Sequence, residues 1–324
     1  MQMIQLILEL GLFAIALTAP PRSPAAVPVP PSLTPMVDPL PFPACVDGVI
    51  ILLAARYSGS GLPRNCTIRG QPGSVIVGPN QFSTELRIEG TLQFDASGQN
   101  LNILELHVRG SVTFTNYNSQ DSDNGDWYFE QSRVVFQNCS VNKMDYAFAQ
   151  ISNSTVILID STVNAATVVF ESSQLNMTRA GLHSTSNIRI NDTTMSLISS
   201  YISAGWRNRQ ISIANSVMSL HNSSLMYGGD TIVIPLQFVN TTATFTGSRV
   251  PGGSINIDAY VSSGFDVPAV SFVDSWVSFP HCSSLDQVIN VADGNISIKG
   301  GRVWCVSNTA MTAEDNAQIA TVVV

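Results

Sequence analysis

From Trp127 to Val303 apolar residues come in pairs two positions apart, and the arrangement of pairs repeats. An anchor set on each of Ser132, Ser154, Ser173, Thr193, Ser216, Thr241, Ser275 and Gly294 brings the repeat into register, at intervals of 19 to 34 residues. Offsets of −5, −3, +2, +4 and +9 from these anchors define forty slots, of which thirty-nine are apolar. The 44% apolar composition would fill about eighteen by chance, and the single exception is Ser284. The first turn supplies Trp127, Phe129, Val134, Phe136 and Val141; the fifth supplies Ile211, Ile213, Met218, Leu220 and Leu225.

A spacing of two places both side chains of a pair on one face of a strand, and the jump to the next pair means the chain has turned a corner. Three short strands then close a coil, and stacking each strand under its equivalent satisfies the backbone and joins the apolar slots into one core. Small residues at offset +7, among them Ser161, Ala180, Ser200, Ser223, Ser248 and Gly301, suit the corners. Ile88, Leu92 and Phe94, then Val108, Val112 and Phe114, add two turns anchored at Gly90 and Gly110. The fold expected is therefore all-β, a parallel β-helix of about ten turns and on the order of 50 Å in length at about 4.8 Å per turn. A propeller blade needs four antiparallel strands and about forty residues, twice the period seen here. With the template fixed, every change of length falls at the corner after offset +9, and that loop edge is the expected place for function.

The repeated strings Ile151-Ser152-Asn153-Ser154-Thr155-Val156-Ile157-Leu158 and Ile213-Ala214-Asn215-Ser216-Val217-Met218-Ser219-Leu220 resemble the pectin-lyase-like superfamily of right-handed parallel β-helices. The resemblance covers most of the chain and implies an architecture shared by polysaccharide lyases, hydrolases, adhesins and protist surface proteins. The Ser/Asn-rich turns look most like the protist surface group.

Composition adds a compartment. Residues 1–19 read as a secretory leader, with an apolar run from Leu6 to Leu17 and small residues at Ala14, Ala16 and Ala19. Residues 20–43 hold ten of the seventeen prolines and read as an extended linker, so that the β-helix domain is expected over residues 45–324. Five cysteines suggest an oxidising compartment, with Cys45/Cys66 and Cys282/Cys305 as candidate pairs by proximity and Cys139 left over. Eight glycosylation sequons occur, at Asn65, Asn138, Asn153, Asn176, Asn191, Asn222, Asn240 and Asn295. Asparagines near the corners could instead form stacked amide ladders. The net charge of −8 and the 12% charged content leave no basic stripe, which argues against nucleic-acid binding. After the leader no apolar run is long enough to span a membrane.

The loop edge offers Trp206, Arg207 and Arg209, then Tyr227, Asp230, Asp258, Tyr260 and Asp266 on the longest connections, residues 226–235 and 251–269. Aromatic rings beside carboxylates and guanidinium groups can stack on and hydrogen-bond a sugar. A polysaccharide-cleaving enzyme would need carboxylates projecting from adjacent turns. Strand-face carboxylates read as scarce, and the polygalacturonase family's Asn-x-Asp, Asp-Asp, Gly-His-Gly and Arg-x-Lys signatures are absent. The string Asp121-Ser122-Asp123-Asn124-Gly125-Asp126 departs from the EF-hand calcium pattern and reads as a solvated turn. His107, His183, His221 and His281 fall singly, so neither metal nor cofactor is expected. The expected function is a non-catalytic secreted or cell-surface scaffold that presents its loop edge for adhesion or glycan binding; the alternative is a carbohydrate-active enzyme, a polysaccharide lyase or glycoside hydrolase. Expected partners are glycans or surface proteins, with self-association through the strand at residues 318–324.

Overall fold

A computed structural model describes residues 38–322, except 63–65, 79–83, 97–102, 120–124, 206–209, 230–235, 247–256, 262–269, 274, 279–288, 293–295, 300–301, 307–310 and 315–317. The chain is a coil of parallel strands, and apart from one 3-10 turn at Gly59–Gly61 the described elements are all strands. Three sheets run along the coil, each strand pairing with its equivalent one turn earlier and one turn later. Sheet 1 passes from Val49–Leu52 and Thr67–Gly70 through Trp127–Glu130, Ile188–Asn191, Ile211–Ala214 and Leu236–Val239 to Met311–Glu314. Sheet 2 passes through Arg133–Gln137, Thr155–Ile159, Gln174–Thr178, Thr194–Ile198, Val217–His221 and Thr242–Thr246. Sheet 3 passes through Gly181–Ser184, Tyr201–Gly205, Ser224–Gly229, Ile257–Val261 and Ile289–Ala292.

About seven turns, those between Trp127 and Ala292, carry all three sheets, fewer than the ten expected. Before them, strands such as Val49–Leu52 and Arg56–Ser58 continue sheets 1 and 2 toward the beginning of the chain. The sequence pattern missed these earliest rungs.

The slots point inward as the repeat requires. Trp127, Phe129, Val134, Phe136 and Val141 are all buried in one continuous cluster with Ile188, Ile190, Met195, Leu197 and Ile202 and with Ile211, Ile213, Met218, Leu220 and Leu225. Burying each large aliphatic side chain contributes about 1.5–3 kcal/mol. In sheet 2, Phe94, Phe114 and Phe136 stack rung on rung at 5.0 Å between successive ring centroids.

Corners repeat a two-residue device. A residue of positive φ, such as Asn153, Asp160, Ser172, Asp192, Ser199, Asn215 or Asn222, turns the chain, and the next residue is small and buried. Asn and Asp tolerate this left-handed conformation best. The buried hydroxyls run in files through the interior. Ser132 N–H donates to Ser154 Oγ at 3.0 Å and Ser154 N–H to Ser173 Oγ at 3.2 Å; at the next corner Ala180 N–H donates to Ser200 Oγ at 3.1 Å and Ser200 N–H to Ser223 Oγ at 3.0 Å. Each hydroxyl in turn donates to the carbonyl two residues earlier, as Ser200 does to Ile198 at 2.8 Å. These backbone N–H groups, which the turns pull out of the ladder, are thereby satisfied inside an apolar core. In the earliest turns glycine takes the corner instead: Gly110 has φ +141°, and a Cβ there would stand 2.3 Å from Gly90 O.

The structure corrects four sequence-based placements. Sheet 3 follows Thr241 not at Val250 but at Ile257–Val261, and follows Ser275 not at Ser284 but at Ile289–Ala292. Length therefore also varies at the corner between sheets 2 and 3, and Val250 and Ser284 lie outside the described residues. The turn anchored on Gly294 is out of phase by one face, because Ile289 and Val291 belong to sheet 3, while Ile296 and Ile298 pair with Val270 and Phe272 in sheet 1. Finally, order begins before Cys45, since Leu40 already bridges to Tyr57. Residues 1–37, which hold the expected leader and most of the linker, lie outside the described residues.

Candidate functional site

Of the residues expected on the loop edge, Trp206, Arg207, Arg209, Asp230 and Asp266 lie outside the described residues. Tyr227, Asp258 and Tyr260 are on strands rather than in loops. Tyr227 takes the register of Ala204 and Ala259, while Asp258 and Tyr260 take that of Met226 and Gly228. Sheet 3 thus brings Tyr227, Asp258 and Tyr260 onto adjacent rungs.

Charge concentrates elsewhere, on the outer face of sheet 1 near its beginning. The register Thr67↔Arg87, Arg87↔His107 and His107↔Tyr128 makes one file. Beside it, Glu85 pairs with Glu105, and Asp126 precedes the residue paired with Leu106. On the other side run Arg69, Glu89, Arg109 and Glu130, joined as ion pairs Arg69–Glu89 and Arg109–Glu130, each at 2.7 Å. Carboxylates therefore do project from adjacent turns, and the reading of strand-face carboxylates as scarce fails for this face.

Within the strip the polar groups engage one another. His107 Nε2 meets Glu105 Oε1, and the imidazole stacks on the Tyr128 ring with centroids 4.7 Å apart and planes 17° apart. Tyr128 donates its hydroxyl proton to Asp126 Oδ2 at 3.1 Å, and Asp126 Oδ1 accepts the Phe148 N–H at 2.9 Å. Burial, then the Asp126 hydrogen bond, then the negative charges of Asp126 and Glu105 hold the Tyr128 phenol above its usual pKa. Asp126 is thus committed to protein donors; residues 121–124 of its acidic string lie outside the described residues. Glu85 and Arg87, at the end of the strip, line a cleft of about 390 Å³ with Gly48, Cys66 and Thr67. That volume is in the range of small-ligand sites. Past Tyr128 the central file continues through Gln150 and Val169, then Arg189, then Ser212 and Gln237, so charge becomes sparse.

A sequence signal for the strip exists. Glu85-Leu86-Arg87, Glu105-Leu106-His107 and Asp126-Trp127-Tyr128 repeat an acid, a buried apolar residue and a polar partner in three successive turns. The other histidines are apart from it: His183 Nδ1 lies 2.8 Å from Ser203 Oγ, His221 is exposed, and His281 lies outside the described residues. No group of three or more potential metal ligands occurs among the described residues.

Cys45 and Cys66 form a disulfide, and Cys139 is free and buried. Cys305 lies on the strand Arg302–Val306, whereas Cys282 lies outside the described residues. Among the sequons, Asn138, Asn153 and Asn240 are exposed and Asn176, Asn191 and Asn222 half-buried; Asn65 and Asn295 lie outside the described residues. Amide ladders form on part of the surface: Asn138 Nδ2 donates to Asn116 Oδ1 at 2.6 Å, and Asn240 to Asn215 and Asn215 to Asn191, each at 3.0 Å. No described helix is long and apolar enough to cross a membrane. Comparison of the chain with protein-family models, with curated proteins and with solved structures finds no match.

Proposed function

We propose that the chain is a secreted or cell-surface scaffold of the pectin-lyase-like type, similar to protist surface proteins, which binds glycans without cleaving them. The observation that carries this reading is the strip from Glu85 to Tyr128, where carboxylates, an imidazole, a phenol and a guanidinium stand in files on a rigid sheet. Carboxylates accept hydrogen bonds from sugar hydroxyls, Arg87 donates them, and the Tyr128 oxygen, whose own proton goes to Asp126, accepts them. Glu105 and Asp126 already hold His107 and Tyr128, an arrangement that favours a fixed recognition surface over a free general base. The Cys45–Cys66 disulfide and the leader-like residues 1–19 support an extracellular setting. Trp206 and Asp230, with Asp258 on its sheet 3 strand, are a second contact region in the same reading, and an exposed sequon asparagine outside the amide ladders, Asn153, carries the protein's own glycan.

The test is a glycan array probed with the secreted chain, beside an Arg87→Ala/His107→Ala variant, with a polysaccharide depolymerisation screen run on both. Retained glycans that the variant loses support the reading. Absence of binding by the parent overturns it, and so does release of oligosaccharides that the substitutions abolish.

A further inference from the structure

Among the described residues the coil begins at a sheet edge, and residues 38–46 are laid along that edge as a strap. Leu40 N–H donates to Arg56 O at 2.8 Å, and Ser58 N–H donates to Leu40 O at 2.9 Å. Val46 and Val49 exchange two backbone hydrogen bonds, at 3.0 and 2.9 Å. Phe42 packs on the core with its ring 5.8 Å from that of Tyr57. The Cys45–Cys66 disulfide fastens the strap to the following turn.

Thr67 N–H donates to Gly48 O and Gln71 N–H to Leu52 O, so in Val49–Leu52 the even-numbered residues turn their backbone into sheet 1. Alternation then leaves Val49, Ile51 and Leu53 facing the edge. Val46 meets Val49, and the Tyr57 hydroxyl accepts the Leu53 N–H at 3.1 Å. The strap's own outer side is treated differently. Leu40 bonds inward, and its neighbours Pro39 and Pro41, which alternation turns outward, have no N–H to offer. Apolar surface gathers at the same place: Leu40, Val46, Ile51 and Leu53 are 47–64% exposed, and elsewhere among the described residues only Ile198 and Val217 are large exposed hydrophobics.

An edge of a parallel coil is a template for one more strand, and the strand that fits its spacing and register best is a strand of another such coil. We propose that residues 38–46 are an edge guard, a proline-faced strap locked by the Cys45–Cys66 disulfide, that prevents this end of the coil from adding a strand of a second copy of the chain. The guard takes the edge-facing backbone groups of Val49, Arg56 and Ser58 and leaves apolar side chains in place, so removing it exposes backbone groups beside a greasy rim.

The test is sedimentation of the full chain over a range of concentrations, oxidised and after gentle reduction. A Cys45→Ser/Cys66→Ser variant releases the strap. A Pro39→Thr/Pro41→Thr variant keeps the disulfide and core and restores two outward donors, so it reads the edge even where the cysteine variant folds poorly. The expected result is an oxidised parent of constant size and a shift to dimers or larger species for the proline variant and on reduction. A parent that self-associates as readily as the proline variant overturns the guard, as does a proline variant that keeps the parent's size throughout.

Discussion

The ring of Tyr201 lies across Gly181, its partner one turn earlier in sheet 3, so closely that a Cβ on Gly181 would stand 2.3 Å from Tyr201 Cζ and 2.4 Å from its hydroxyl oxygen. The glycine is there for space: the ring of its rung neighbour fills the place a Cβ would take. Gly181→Ala should therefore displace the ring and cost about 1–3 kcal/mol. Tyr201→Ser removes the obstruction, so the same alanine introduced into that background should cost much less. Urea unfolding of the four proteins measures the coupling. Equal costs in the two backgrounds would refute the contact.

The interior hydroxyl files make a second quantitative claim. Ser161 Oγ accepts the buried Cys139 N–H at 3.0 Å and donates to Ile159 O at 2.7 Å. Ser161→Ala leaves that N–H without an acceptor, and an unsatisfied buried donor costs about 1–3 kcal/mol. Ser219, exposed on sheet 2, should tolerate the same change within about 0.5 kcal/mol. The difference between the two midpoints of denaturation, at constant slope, is the measurement; indistinguishable midpoints would mean the file does not stabilise the coil.

How much was legible follows from what the repeat encodes. Thr193 between Ile190 and Met195 is an unambiguous mark, because a polar residue at fixed distances from apolar pairs has a structural reason to be polar: it sits buried in the hydroxyl file. The face to which a pair belongs is not marked, since all three sheets use the same spacing of two. The insertions before Ile257 and Ile289 therefore moved the last turn's assignment by one sheet at the cost of a single apolar slot, Ser284. The rungs before Gly90 were hidden because their strands are three or four residues long and their corners hold Gly73 and Cys66. The charged strip was missed for another reason. Its tripeptides are visible, but that Glu85 and Glu105 stand side by side follows only from register across twenty residues. Sequons were over-informative: Asn153-Ser154-Thr155 and Asn222-Ser223-Ser224 are corner asparagines of positive φ followed by a file hydroxyl, so the fold itself writes the motif.

Tyr128 gives a pH prediction whose sign is fixed. Burial and Asp126 raise its folded pKa above the usual 10.0, so the folded protein holds the phenolic proton more tightly than the unfolded chain. The corresponding stability is fully present below pH 10 and is lost as pH rises through the raised value. The phenolate absorbance of Tyr128, obtained as the difference between the parent and Tyr128→Phe, should rise only above pH 10. In Asp126→Asn, which removes the carboxylate charge, it should shift downward. A titration unchanged by Asp126→Asn would show that the Asp126 contact does not act on Tyr128.

Cys139 occupies a corner position that successive turns give to Ser161, Ala180, Ser200 and Ser223. It is the buried residue next to Asn138 at positive φ, and its Sγ–H lies 3.2 Å from Gln137 O and 3.4 Å from Phe114 O. Burial raises the thiol pKa, while contacts with the Tyr117 and Gln137 backbone and with Ser161 oppose the shift without cancelling it. A protonated, enclosed thiol is a poor nucleophile. Native protein should therefore resist alkylation at Cys139, with labelling reaching the rate of a free thiol only in denaturant. Because the position is built for a hydroxyl, Cys139→Ser should fold and lose no more than about 1 kcal/mol, its Oγ donating to the same carbonyl of Gln137 as the other file hydroxyls donate to theirs. Rapid alkylation of the folded chain would mean that the corner opens, and a collapse of stability in Cys139→Ser would mean that the corners are not interchangeable.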